Sequence, residues 1–254
     1  TYAASVSDAR SWAVRQLLLH PRSYGLTLLC AHFCVSAAQY PLAAAEYVRA
    51  HRLAPNDAMA SLCCGVAFTS MSMSRVIVYR HREVSKAFAF LSRYKRLRIR
   101  GLPDEAALRD RVRRRTLAKA RRRRQEAGEA RGGHGAEEEE DLGGEGAEEY
   151  DDETLDAIAR HAEADYNIGR MFHQLSIFSQ ALRKYEKALS WFDEEVEAAG
   201  DPELLRRGPG GDSLCARLDL RVVRHAAAYN LAQIYRGQGS VALAGRVLFR
   251  HVAF

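Results

Sequence analysis

Residues Tyr166 to Leu189 read YNIGRMFHQLSIFSQALRKYEKAL. Bulky residues fall at Ile168, Phe172, Leu175, Leu182, Tyr185 and Leu189, a spacing that fits helices rather than strands. Gly169, Ala181 and Ala188 interrupt them. Glycine costs a helix about 1 kcal/mol relative to alanine, so its presence asks for a reason. A small residue is needed where two helix backbones come close, and a larger side chain there would force them apart at a cost of ~1–3 kcal/mol. The stretch therefore predicts two helices packed against each other, with their small residues at the points of closest approach.

The same pattern recurs. In a 34-residue frame starting at Ala162, position 7 is Ile168, 8 is Gly169, 11 is Phe172, 20 is Ala181, 24 is Tyr185 and 27 is Ala188. A frame from His225 places Leu231, Ala232, Tyr235, Gly239 and Ala244 at positions 7, 8, 11, 15 and 20. A frame from Tyr24 places Ala43, Tyr47, Ala50 and Pro55 at 20, 24, 27 and 32. A fourth, from Ala58, has Cys64, Gly65 and Phe68 at 7, 8 and 11, but its second half departs from the pattern. This spacing resembles the tetratricopeptide (TPR) repeat, in which each helix pair cannot bury its apolar face alone and stacks on the next pair.

Around these frames the chain divides by composition. Residues 1–100 read as a block of TPR-like helices, the first stopping at His20-Pro21. The uncharged segment 58–74 is short for a membrane span and rich in Ser, Cys and Gly, so it reads as a helix buried among helices. From Arg109 to Arg124 come ten basic residues against one Asp, and from Glu137 to Glu153 eleven acidic residues and no basic ones. With few apolar residues to bury, 101–153 is expected to be a disordered insertion, its basic half helical when bound. Residues 154–254 return to helices and close the array, with 198–213 a Gly- and Pro-rich loop. The expected fold is an all-α TPR solenoid in which the two blocks stack and the charged insertion loops out. The chain starts with Thr rather than Met, which is expected of a fragment or C-terminal region, and VLFRHVAF reads as a last helix.

The 254 residues carry a net charge of +6, from 38 Lys and Arg against 32 Asp and Glu. That balance suits a nucleic-acid or acidic-protein partner. Five cysteines, Cys30, Cys34, Cys63, Cys64 and Cys215, show neither disulfide nor zinc spacing and read as small buried hydrophobes in a reducing compartment. No signal peptide is visible. There is no P-loop, no nucleophile elbow and no metal-ligand spacing, and HAEAD (161–165) is not HExxH. The chain reads as a non-enzyme with no cofactor, metal or small-molecule substrate.

The order of segments is more specific than the repeat. HFCVSAAQYPLAAAEYVRAHRLAPND leads to LCCGVAF and RHREVSKAFAFLSRYKRLR, then to EADYNIGRMFHQLSIFSQALRKYEKAL and LRVVRHAAAYNLAQIYRGQGSVALAGRVL. This succession resembles the C-terminal TPR array of the TPR-containing subunit of transcription factor IIIC, over most of 25–100 and 161–254. The resemblance implies a nuclear, non-catalytic scaffold. It would help assemble the RNA polymerase III machinery on transfer-RNA-type promoters. Implied partners are the other transcription factor IIIC subunits and the initiation factor that contains the TATA-binding protein, with DNA reached through the complex. The insertion and the loop 198–213 have no part in that pattern.

Helix A of a TPR lines the inner face of the array. On that face the frames place Glu163, Tyr166, Arg170, His173 and Gln174, and Tyr229, Gln233 and Arg236. Tyr and Arg are the types enriched in binding hot spots, against the alternative that the tyrosines pack within the array and Arg170 is merely solvated. The Lys and Asn cradle of chaperone-binding TPRs is absent. In the basic run, Arg113, Arg114, Arg115, Arg121, Arg122, Arg123 and Arg124 are candidates for nucleic-acid backbone contact or for a nuclear-import signal. They could equally be a solvated run neutralised by the acidic stretch. No aromatic residue interleaves them, so base stacking is not supported. A nucleic-acid-binding protein and a TPR adaptor of another complex are the alternative readings.

Overall fold

The structure, a computed structural model, describes residues 2–74, 77–129, 152–199 and 218–252. Among these it is all-α, with ten helices. It divides into two compact units, Thr1–Arg100 with Met171–Ile177, and Gly101–Arg170 with Phe178–Phe254.

The first unit runs α1 (Tyr2–Leu19), α2 (Tyr24–Ser36), α3 (Tyr40–Leu53), α4 (Ala58–Ser72) and α5 (Arg80–Arg98), each packed on the next along the chain. Its helices start where sequence chemistry tells them to. Ser23 accepts from the Leu26 amide at 3.4 Å, Asp57 accepts from the Met59 amide at 2.7 Å, and Pro41 occupies the first turn of α3. Tyr24 Oη also donates to Asp57, tying the start of α2 to that of α4. The uncharged α4 is buried along most of its length, as its composition predicts. Gly65 explains how it packs so closely: a Cβ there would lie 2.5 Å from Cγ of Leu91 on α5. The turn of chain at 171–177 belongs to this unit, with the Phe172 ring 5.3 Å from that of Phe88.

The second unit holds α6 (Glu105–Glu129), α7 (Asp152–Gln174) as far as Arg170, α8 (Phe178–Ala199), α9 (Leu218–Gly237) and α10 (Val241–His251). The small residues of the frame from Ala162 do what their spacing predicts. Ala181, Tyr185 and Ala188 are fully buried, and Cε1 of Tyr185 lies 2.8 Å from where a Cβ on Gly169 would stand.

One turn geometry recurs three times. Position 15 of the frames from Tyr24, Ala162 and His225 is Ala38, Ser176 and Gly239, with φ of 54°, 59° and 80°. In each turn the amide after that residue donates at 2.8 Å to the carbonyl of position 11: Gln39 to Cys34, Ile177 to Phe172, Ser240 to Tyr235. The amide of position 15 itself donates to position 12: Ala38 to Val35 at 2.9 Å, Ser176 to His173 and Gly239 to Arg236 at 3.0 Å. This pair of bonds is the Schellman closure of a helix. Three sequences with little in common thus end helix A in the same way.

The basic segment departs from expectation. Charge marks residues 101–153 as a disordered insertion whose basic half is helical only when bound, yet Glu105–Glu129 is a continuous helix within the second unit of the chain by itself. Leu108 and Val112, one turn apart, are buried in a core with Leu155, Ile158, Trp191, Phe192 and Leu220, and Leu102 packs against it. Leu108 and Val112 at helical spacing, with Leu102 beside them, dock a segment that is otherwise mostly charged. The acidic run up to residue 151 and residues 200–217, which take in most of the loop expected at 198–213, lie outside the described residues.

Candidate protein-binding face

The candidate face is built on α7 and α9, helix A of their frames. Tyr166 is half-buried and its ring stands 6.0 Å from that of Tyr185, tilted by 41°. Asn230 Nδ2 reaches Tyr166 Oη at 3.5 Å, so position 6 of one frame touches position 5 of the other. Arg170 is exposed, with its guanidinium carbon 5.8 Å from the centre of the Tyr166 ring. Burial, then the neighbouring Tyr166, pushes the Tyr185 phenol well above its ordinary value, so it stays a neutral packing residue. Tyr166 is therefore partly a structural residue and partly the floor on which Arg170 rests.

On α9 the residues divide more cleanly. Tyr229 is 56 % exposed and Arg236 is exposed, while Gln233 is half-buried. Val222, two turns before Tyr229 on the same helix, is 57 % exposed. Tyr235 is turned elsewhere and donates to Glu186 Oε1 at 3.1 Å. What the second unit offers is thus an amphipathic strip. Tyr229 and Val222 give apolar area, and Arg170 and Arg236 give charge. A strip of this make-up is a candidate for holding a protein segment. His173 and Gln174 fall in the first unit; there Gln174 is exposed and His173 half-buried, its burial pushing the imidazole below its ordinary value.

In the basic run Arg113, Arg114 and Arg121 are exposed and Arg115 is half-buried. Arg122, Arg123 and Arg124 continue the helix, and their side chains lie outside the described set.

The spacing of the frames gave no hint of a charged ladder beside the core. Asp165, at position 4 of its frame, is fully buried and accepts from Lys184 Nζ at 3.0 Å, with Lys187 Nζ at 3.8 Å. Lys187 also meets Glu105 at 2.8 Å, and Glu105 accepts twice from Arg109, at 3.1 and 3.2 Å. Arg109 lies over the Trp191 ring at 4.2 Å and donates to Ser190 at 3.1 Å. Burial works against ionising Glu105, but Lys187 and Arg109 outweigh it and hold the carboxyl below the usual range. Signals were present in the Lys184-x-x-Lys187 and Glu105–Arg109 spacings, each a one-turn pair. Their partners are too far along the chain to be read from it.

Among the described residues no three His, Cys, Asp or Glu side chains gather as a metal site, and no helix is long and apolar enough to cross a membrane. Cys30, Cys34 and Cys64 are buried free thiols; burial, then Cys63, pushes Cys64 up to about 12.

No protein-family model matches the chain. It is 23 % identical over 240 residues to the human protein named General transcription factor 3C polypeptide 3. That match takes in 94 % of this chain and 18 % of the human protein, so the chain spans under a fifth of the length of the relative it matches.

Proposed function

We propose that this chain is a protein-binding scaffold segment of a transcription factor IIIC subunit. It acts in the nucleus, with no catalysis of its own, to help assemble the RNA polymerase III initiation complex on transfer-RNA-type promoters. The observation that carries the reading is the reach of the human match, which runs over 94 % of the chain rather than over one helix pair. The segment order noted in the sequence, from LCCGVAF to AAYNLAQIY, supports the same assignment. Its partners are the other subunits of the factor and the initiation factor that contains the TATA-binding protein. Tyr229, Arg170 and Arg236, exposed on α7 and α9, are the residues assigned to partner contact.

The test is to tag the full-length protein in its own cells, purify it gently and identify what comes with it. Recovery of other transcription factor IIIC subunits supports the proposal. Recovery of an unrelated complex, or of chaperones alone, leaves the helix-hairpin fold standing and removes the transcription reading. With partners identified, a Tyr229→Ala, Arg170→Ala variant is expected to weaken capture at least tenfold while melting like the parent. Unchanged capture would remove the α7–α9 strip from the interface.

A further inference from the structure

The scaffold reading leaves the basic helix α6 unused, and its two faces differ sharply. One face is locked into the second unit. Leu108 and Val112 are buried, Arg109 is held by Glu105, Ser190 and Trp191, and Arg111 donates to Thr154 Oγ1 at 3.1 Å. The opposite face carries Asp110, Arg113, Arg114, Leu117 and Arg121, all exposed. Successive helical residues turn by about 100°, so Arg114, Leu117 and Arg121 fall in one stripe with Arg113 at its edge. Asp110 offsets one of these charges by pairing with Arg114. Beyond Arg121 the same step keeps Arg124 beside this stripe and turns Arg122 and Arg123 away from it, before the helix ends at Glu129.

We propose that the outward face of α6 binds the phosphate backbone of duplex nucleic acid, without regard to sequence. Arginine favours this ligand because its planar guanidinium pairs with phosphate oxygens through two parallel hydrogen bonds. Among the described residues the exposed face has no aromatic residue and a single large apolar one, Leu117, so it lacks the anchors that a protein partner would fill. The lack of aromatics also removes the stacking platform of single-strand binders. The span from Arg113 to Arg124 is about 16 Å of helix, and each turn of it meets several duplex charges, which lie about 1.7 Å apart along the axis. The buried half fixes the direction of the free half, so the arginines are presented without the ordering cost of a loose tail.

The measurement is fluorescence anisotropy of a labelled 20-base-pair duplex of arbitrary sequence, titrated with the whole chain at 50, 100 and 200 mM salt. With about four phosphate contacts the affinity should fall roughly 10²-fold across that range. Changing Arg113, Arg114, Arg121 and Arg124 to Gln should abolish most of both the affinity and its salt dependence, with an unchanged helical melt. Wild-type chain that fails to bind, or a variant that binds as the parent does, overturns the proposal. Polyglutamate bound as tightly as the duplex also overturns it and assigns the face to acidic proteins. Should the variant melt early, the wild-type slope decides alone: release of fewer than about two ions contradicts a phosphate-backbone site.

Discussion

Lys184 Nζ lies 3.0 Å from Oδ1 of Asp165, whose carboxylate is shut off from solvent, while the lysine keeps 28 % of its side chain exposed. The pair therefore bridges α7 and α8 at the edge of the core. A buried carboxylate that loses its cation bears the desolvation cost without the offsetting attraction, ~3–5 kcal/mol for a fully buried pair. Lys187, 3.8 Å from the other oxygen, remains. Lys184→Met should thus destabilise the chain by about 2–3 kcal/mol, at the low side of that range. Urea unfolding checks it. A loss under about 0.5 kcal/mol would mean that Lys187 already neutralises the site.

Gly169 and Tyr185 give a second test. A Cβ at Gly169 would stand 2.8 Å from Tyr185 Cε1 and 3.2 Å from Lys184 Cβ. Tyr185 is fully buried and cannot swing away. Alanine would gain about 1 kcal/mol of helix propensity, and overpacking would cost ~1–3 kcal/mol. Gly169→Ala is expected to lower the melting temperature, and Gly245→Ala, where a Cβ meets nothing within 4 Å, to raise it slightly. Equal effects at the two glycines would contradict the close approach.

The three matched turns predict opposite signs for opposite changes. Ala38 and Ser176 hold left-handed backbone that costs a residue with a Cβ about 1–2 kcal/mol. Ala38→Gly and Ser176→Gly should each gain roughly 0.5–1 kcal/mol, once glycine's greater freedom in the unfolded chain is set against the relief. Gly239→Ala should lose about 1 kcal/mol, and because a Cβ there meets nothing within 4 Å, the loss is backbone strain alone. Chemical-denaturation midpoints at constant slope would show all three.

Acid should loosen the second unit through His251. This side chain is buried, and burial, followed by Arg224 and Arg250, pushes its imidazole down to about 3 from an ordinary 6.5. Asp193 Oδ1 lies 3.5 Å from its Nε2. The folded chain keeps His251 neutral where the unfolded chain would take up a proton. Stability therefore falls as pH drops from about 6.5 towards about 3, by up to one proton's worth of slope. Burial lowers His51, His173 and His225 in the same direction. His251→Gln should flatten the profile between pH 6 and 4 by about one proton. An unchanged slope would place the acid sensitivity elsewhere.

Much of the helix-hairpin pattern was written in single residues. Small side chains at Gly65, Gly169, Ala43, Ala181 and Ala188 mark where helices touch, and all are buried as their spacing requires. The end of α1 at Leu19 followed from Pro21, and the frame from Tyr24 starts on the first residue of α2. The frame from Ala58 fails in its second half because α5 starts only at Arg80, seven residues after Met73. The docking of α6 is not legible in the sequence because its apolar signal is two residues, Leu108 and Val112, inside a run of charge. The partners that hold it, Ser190, Lys187 and Trp191, are some eighty residues away. Exposure of Tyr229 could be read from its frame; the contact of Asn230 with Tyr166 could not, since it joins two repeats.

That distance along the chain also gives α6 a place in time. Gly169 and Tyr185 are 16 residues apart, so the α7–α8 hairpin closes a short loop. Arg109 and Ser190 are 81 apart. Loop-closure entropy makes the second contact about 1.4 kcal/mol harder to form, roughly a tenfold delay if nothing else intervenes. The hairpin then forms first and offers Trp191 as a bare surface until the arginine-laden helix arrives. A chain caught between these events is a repeat with its apolar flank open, the species most prone to stick to its neighbours during synthesis.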